Sequence, residues 1–184
     1  MAVRIKVLDL SPIALTVKNP LEQDFKHLAS ELDMCFKDIG FAYIENHGID
    51  KETIKTAMQS SMNFFNLDRE QKNLNKKGLD YQGWVEMGRE IFDQEEEGKI
   101  AELEVRETYD MKNISQKGKF PDEECPELRV GLTNLAESSS TLAERLLHCL
   151  SLSCGQKAEF LEQIHKGMLT QGQSFEVENC TTLR

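Results

Sequence analysis

Six leucines, Leu128, Leu132, Leu135, Leu142, Leu146 and Leu150, recur between Pro126 and Cys154 at close to seven-residue spacing. Apolar residues so spaced line one stripe of an α-helix, and a stable chain must bury that stripe. At 1.5 Å per residue the helix would reach roughly 43 Å. The flanking positions show no consistent charge pairing, which argues for a core helix over a coiled coil. Gly155 is its predicted stop.

A second helical face is formed by Leu21, Phe25, Leu28, Leu32, Cys35, Phe36 and Ile39. Asn19 and Pro20 are the predicted N-cap and first helical residue, and Gly40 the predicted close. Strand patterns stand on either side, at Lys6 to Leu10 and at Phe41 to Ile44. The turn Asn46-His47-Gly48 places Gly where a positive φ is useful. Asp50 then predicts a helix cap, with Ile49 stapling onto Ile54, and Asp68 with Gln71 predicts a capping box for a short third helix.

From Asn75 to Gly88 the chain reads as irregular with extended pieces, and it contains Trp84, the only tryptophan. Asp93 to Glu104 is strongly acidic and reads as a solvated loop. Leu103, Val105, Tyr109 and Met111 alternate as in a strand, with Glu107 interrupting the apolar face. Phe160, Leu161 and Ile164 predict a last short helix stopped by Gly167, and the β-branched end at Cys180 to Arg184 predicts a strand.

The formal net charge of −10 argues against nucleic acid and anionic membranes as partners. No apolar run approaches the roughly 20 residues of a membrane span, and the first 30 residues carry no secretory core. Five cysteines, Cys35, Cys125, Cys149, Cys154 and Cys180, stand without a C-x-x-C pair, which fits reduced thiols and a cytoplasmic location.

Several of these pieces resemble, in order, the non-haem dioxygenase N-terminal domain found in isopenicillin N synthase-like and 2-oxoglutarate/Fe(II) oxygenases. The matching residues are Val7-Leu8-Asp9-Leu10-Ser11, Gly40-Phe41-Ala42-Tyr43-Ile44-Glu45-Asn46-His47-Gly48-Ile49, Phe64-Phe65-Asn66-Leu67 with Lys72, Tyr81-Gln82-Gly83-Trp84, and Arg106-Glu107-Thr108-Tyr109-Asp110. Asp68 stands where the family usually has Pro, and Gly83-Trp84 where it often has Gly-Tyr. The resemblance implies an α+β fold, with a helix-rich N-terminal region and short strands that would flank a double-stranded β-helix (jelly-roll) barrel absent from this chain. It assigns residues 1–115 to the N-terminal domain, and residues 116–184 to the long helix and the start of the barrel.

Such an oxygenase holds iron by His-x-Asp/Glu plus a distant His, two side chains leaving one strand face toward one metal. Two residues after His27, His47, His148 and His165 stand Ala29, Ile49, Leu150 and Gly167, none a carboxylate. The Arg-x-Ser cosubstrate motif is also missing from the sequence. His47 reads as a turn residue, His148 as a hydrogen-bonded core or boundary histidine, and His27 and His165 as exposed. No catalytic or metal-binding residue is therefore assigned within the chain. The resemblance offers two substrate-binding positions: Tyr81, in a segment bordering the substrate mouth of relatives, and Arg184, beside their cosubstrate-binding Tyr. Cofactors, Fe(II) with or without 2-oxoglutarate, and a small-molecule substrate are implied only for a full-length relative. Alternatives are a stand-alone, non-catalytic interaction module or a truncated isoform. Unpaired strands and an exposed apolar face of the long helix would favour self-association.

Overall fold

The computed structural model describes residues 4–87, 106–112, 119–171 and 174–180. Strands and helices are both present, so the fold is α+β. The acidic segment Asp93 to Glu104 lies outside the described residues, as do Leu103, Val105 and the end from Thr181 to Arg184. The chain divides into two compact units, Met1–Ile54 with Leu135–Leu169, and Lys55–Asn134 with Thr170–Arg184.

The first unit opens with β1 (Lys6–Asp9), a 3-10 turn (Ser11–Ile13), α1 (Glu22–Asp38) and β2 (Ala42–Glu45). β1 and β2 pair in parallel, Leu8 opposite Ile44, with α1 as the crossover. Asp9 ends β1 by accepting from the Ser11 N–H and from the Asn46 amide, both at 2.9 Å, and these bonds hold its carboxyl below the usual range. Asn19 and Pro20 are not the start of α1. Leu21 stays extended, Asp24 accepts from the Leu21 N–H at 3.2 Å, and the first helical residue is Glu22. Gly40 closes the helix at φ +84°. Gly48, at φ +81°, is tighter, since a Cβ there would stand 2.6 Å from the Leu15 nitrogen.

α2 (Lys51–Phe65) begins after Asp50, which accepts from the Glu52 N–H, and α4 (Pro126–Ser153) is the long leucine-spaced helix. Within the first unit the α4 side chains Leu142 and Cys149 join Leu8, Leu10, Ile13, Phe25, Leu28, Ala29, Leu32 and Cys35 in one core. The apolar stripe of α4 is thus largely covered, contrary to the exposed face expected from sequence. Leu128, Leu132 and Leu142 are buried, and the exposed large apolar residue of this helix is Val130. Arg145, also on α4, donates to the carbonyls of Ile13 (2.7 Å), Ala14 and Val17 (3.0 Å), adding to the Val17 N–H bond that the Ala14 carbonyl already accepts and pinning the backbone that follows the 3-10 turn.

The second unit contains α3 (Arg69–Leu74), β3 (Gly83–Val85), β4 (Arg106–Lys112) and β5 (Ser174–Cys180); α5 (Phe160–Gln171), which precedes β5 in the chain, belongs mostly to the first unit. α3 has the expected capping box, with Asp68 and Gln71 exchanging bonds of 2.8 and 3.3 Å. β4 is the middle strand of an antiparallel sheet, order β3-β4-β5. The described part of the last strand runs from Ser174 to Cys180, and the rest of the strand expected over Cys180 to Arg184 lies outside the described residues. Gly167 does not stop α5, which continues to Gln171; a helical Gly costs only about 1 kcal/mol relative to Ala.

Leu28 is 1% exposed at the centre of the first core. Leu28→Ala is expected to lower unfolding free energy by about 2–5 kcal/mol, measured by urea titration. Burial pushes the Cys125 and Cys149 thiols up to about 11, from an ordinary value of 9.0. The folded state therefore keeps these protons longer than the unfolded one, and stability should fall as pH rises from 9 to 11, as read by thermal melts. At about pH 8, below the ordinary thiol value, iodoacetamide should modify exposed Cys154 and spare Cys35, Cys125 and Cys149 in the folded protein.

Candidate functional site

The densest polar arrangement among the described residues lies inside the second unit, around a carboxylate on β4. Side chains at 107, 109 and 111 leave the same face of a strand, and Tyr109 and Met111 are fully buried there. Glu107 shares that face and is only 4% exposed. Its charge is met by two donors on one oxygen, the Lys72 ammonium at 2.9 Å and the Trp84 indole N–H at 2.8 Å. The indole reaches it diagonally, because Trp84 pairs with Tyr109, two residues beyond Glu107. Lys72 also donates to the Phe65 carbonyl at 3.0 Å and lies 5.1 Å from the Trp84 ring centre.

Around this node the aromatic side chains pack edge to face. Phe64 meets Tyr109 at 4.9 Å and Phe65 at 5.3 Å. The Tyr109 hydroxyl donates to the Lys119 carbonyl at 3.1 Å, and burial drives its phenol above the ordinary range. Beside it, Arg129 grips Asp122 through two bonds of 2.7 and 2.6 Å and stacks 4.4 Å from the Phe120 ring. That hydrogen-bonded pair lowers the Asp122 carboxyl and raises the Arg129 guanidinium.

Tyr81 sits on the turn between α3 and β3, 64% exposed and at φ +59°. A bulky residue in that region of backbone space is uncommon and persists only where surrounding structure fixes it. The base of the turn supplies that fixing. Trp84 N–H donates to the Asn75 carbonyl at 2.7 Å, Lys77 N–H to the Trp84 carbonyl at 2.9 Å, and Tyr81 N–H to the Gly78 carbonyl at 3.1 Å. Gly83 is required at φ +118°, since a Cβ would stand 2.3 Å from the Asn75 carbonyl oxygen. Arg184, the other position that the resemblance offered for substrate, lies outside the described residues.

The histidines do not converge. His47 Nδ1 accepts from the Ile49 N–H at 3.0 Å, the turn role expected of it. His148 stacks on Phe25, with ring centres 3.9 Å apart, and its Nε2 lies 3.4 Å from Glu22 without a hydrogen bond among the described residues. It is a boundary residue held by stacking, not by the hydrogen bonding expected. His27 is exposed as read, but His165 is half-buried, its Nδ1 2.7 Å from the Leu161 carbonyl. Among the described residues no three His, Cys, Asp or Glu side chains are grouped to hold a metal, so these residues do not fit a ferrous site. Likewise no described helix is long and apolar enough to cross a membrane.

Among solved structures with this fold is a 2OG-Fe(II) oxygenase family protein of Caulobacter crescentus, which superposes with a TM-score of 0.67 at 20% identity, over 86% of this chain and 51% of that one. A Neurospora crassa protein, solved at full length with alpha-KG and thymine, gives 0.66 at 18%, over 85% and 50%. The chain thus shares part of the fold of these two proteins. Residues 5–128 match the family model of the non-haem dioxygenase N-terminal domain described from morphine synthesis, and the chain belongs to that family. Among curated proteins, the 1-aminocyclopropane-1-carboxylate oxidases of Dictyostelium mucoroides and Dictyostelium discoideum are each 34% identical over 94 residues, half of this chain. The match covers 25% of those relatives' length, and the chain spans about half the length of its structural neighbours.

Removing one partner of a buried ion pair strands the other. Lys72→Met and Glu107→Leu are each expected to destabilise the protein by about 3–5 kcal/mol in denaturant titrations.

Proposed function

We propose that this chain is the N-terminal portion of an isopenicillin N synthase-like, 2-oxoglutarate/Fe(II)-dependent oxidoreductase, and that it supplies scaffold and mouth wall but not the metal ligands. The observation that carries this reading is the match of residues 5–128 to the dioxygenase N-terminal family, joined to an oxygenase fold likeness over most of the chain. Residues 1–115 are the domain proper, and 116–184 the long helix and the entry to the barrel. Iron, with 2-oxoglutarate where the enzyme uses it, is held by residues beyond those of this chain; when bound it supplies the oxidising chemistry. The chain alone is not a catalyst.

Its own residues bind and shield. Tyr81 presents an aromatic ring at the substrate mouth, and its fixed positive φ with high exposure supports that role. Arg184 is the second proposed contact, on the strength of its place in the family pattern. The outer face of the β1–β2 pair carries exposed Val7 and Tyr43, with exposed Phe41 beside it. Apolar side chains on that face are proposed to meet later polypeptide, and in its absence to favour self-association.

The test extends the reading frame past Arg184 and assays the longer protein for 2-oxoglutarate consumption coupled to oxidation of a small molecule. The expected frame contains a His-x-Asp motif and a later His. In the active protein, Tyr81→Ala should raise KM roughly tenfold, about 1.4 kcal/mol of lost binding, with kcat less affected. A genuine stop immediately after Arg184, or a longer protein without such a motif, would overturn the reading.

A further inference from the structure

The turn between Asn75 and Trp84 is clamped at one end and exposed at the other. Leu79 and Tyr81 stand out at its tip. At its base, Trp84 takes part through both its backbone and its side chain. Its N–H and carbonyl bind Asn75 and Lys77, while its indole N–H ends on Glu107. Turning the indole away from Glu107 would drag the Gly83–Trp84 backbone. Gly83 lies so close to the Asn75 carbonyl and the Lys76 backbone that a Cβ there would collide with both, so a shift at Trp84 is passed on to the chain across the turn.

We propose that Glu107 is a positioning residue that sets the turn carrying Tyr81, acting through the indole N–H of Trp84. Its carboxylate oxygen meets two demands of different kind. Lys72 requires an anion, which a paired apolar replacement of both charges would make unnecessary. The indole requires an acceptor, and no apolar replacement supplies one. Stability and turn position are therefore separable at this one side chain. The functional consequence, a Tyr81 ring held ready at a substrate mouth, rests on the oxygenase reading above; the physical coupling does not.

The experiment measures amide hydrogen exchange, residue by residue, in the 184-residue protein. Lys72→Met with Glu107→Leu in one chain should recover most of the melting temperature lost by either change alone. The amides of Lys77, Gly78, Tyr81 and Trp84 should nevertheless exchange about tenfold or more faster than in the parent, as loss of a hydrogen bond to a charged acceptor implies. Emission of Trp84, the sole tryptophan, should shift in the same double variant. Trp84→Phe, which keeps the ion pair and removes the donor, should loosen the same four amides and leave those of α4 unchanged. Turn amides as protected in both variants as in the parent would overturn the proposal, and so would a uniform rise across the unit. Neither readout depends on catalysis, so failure of the oxygenase reading would leave this result distinguishable.

Discussion

A carboxylate inside a packed sheet is tolerable only where its charge and lone pairs are met, and in the second unit that condition organises the neighbourhood of β4. Glu107 draws Lys72 from α3 and Trp84 from β3 to one oxygen. Those three side chains fix how α3, β3 and β4 meet, and the aromatic contacts of Phe64, Phe65 and Tyr109 close around them. The exposed turn bearing Tyr81 is built on that base. An apolar residue at 107 would have filled the space, but it would have left both the ammonium and the indole N–H without this acceptor.

The first unit meets the same requirement differently. Its core is apolar, and its polar need lies in the backbone that leaves the 3-10 turn, from Ile13 to Val17. Arg145 answers three carbonyls there with one planar guanidinium, a task for which a lysine lacks the fork of donors. The parallel β1–β2 pair is thus carried by a turn pinned to α4 and by α1 packed across it.

Elements with a strong local cause were legible in the sequence. The leucine spacing marked α4 to within one residue of its observed end at Ser153, and the Asp68–Gln71 box and Gly40 marked real boundaries. Where distant partners decide, the sequence was silent. The break in apolar alternation at Glu107 was visible, but Lys72 lies 35 residues away, so only the fold reveals that the interruption is the anchor. Arg145 sat on a leucine-rich helix with nothing local to announce its carbonyl partners. The first residues of β5 went unread because Phe175 and Val177 alternate with glutamates, a pattern weaker than the β-branched run that follows. Asn19-Pro20 carried a helix-start signal, yet Asp24 captured the Leu21 N–H and moved the start to Glu22. Tyr81 was singled out by resemblance; its positive φ had no sequence signal, since the turn demanding it is assembled by hydrogen bonds across residues 75–84.

The proposed separation of scaffold from metal site can be measured directly. The purified 184-residue protein, dialysed anaerobically against ferrous iron at neutral pH and then passed through a desalting column, is expected to retain iron at background level. Stoichiometric retention, abolished by substituting histidines of this chain, would contradict the assignment of the iron ligands to residues outside it.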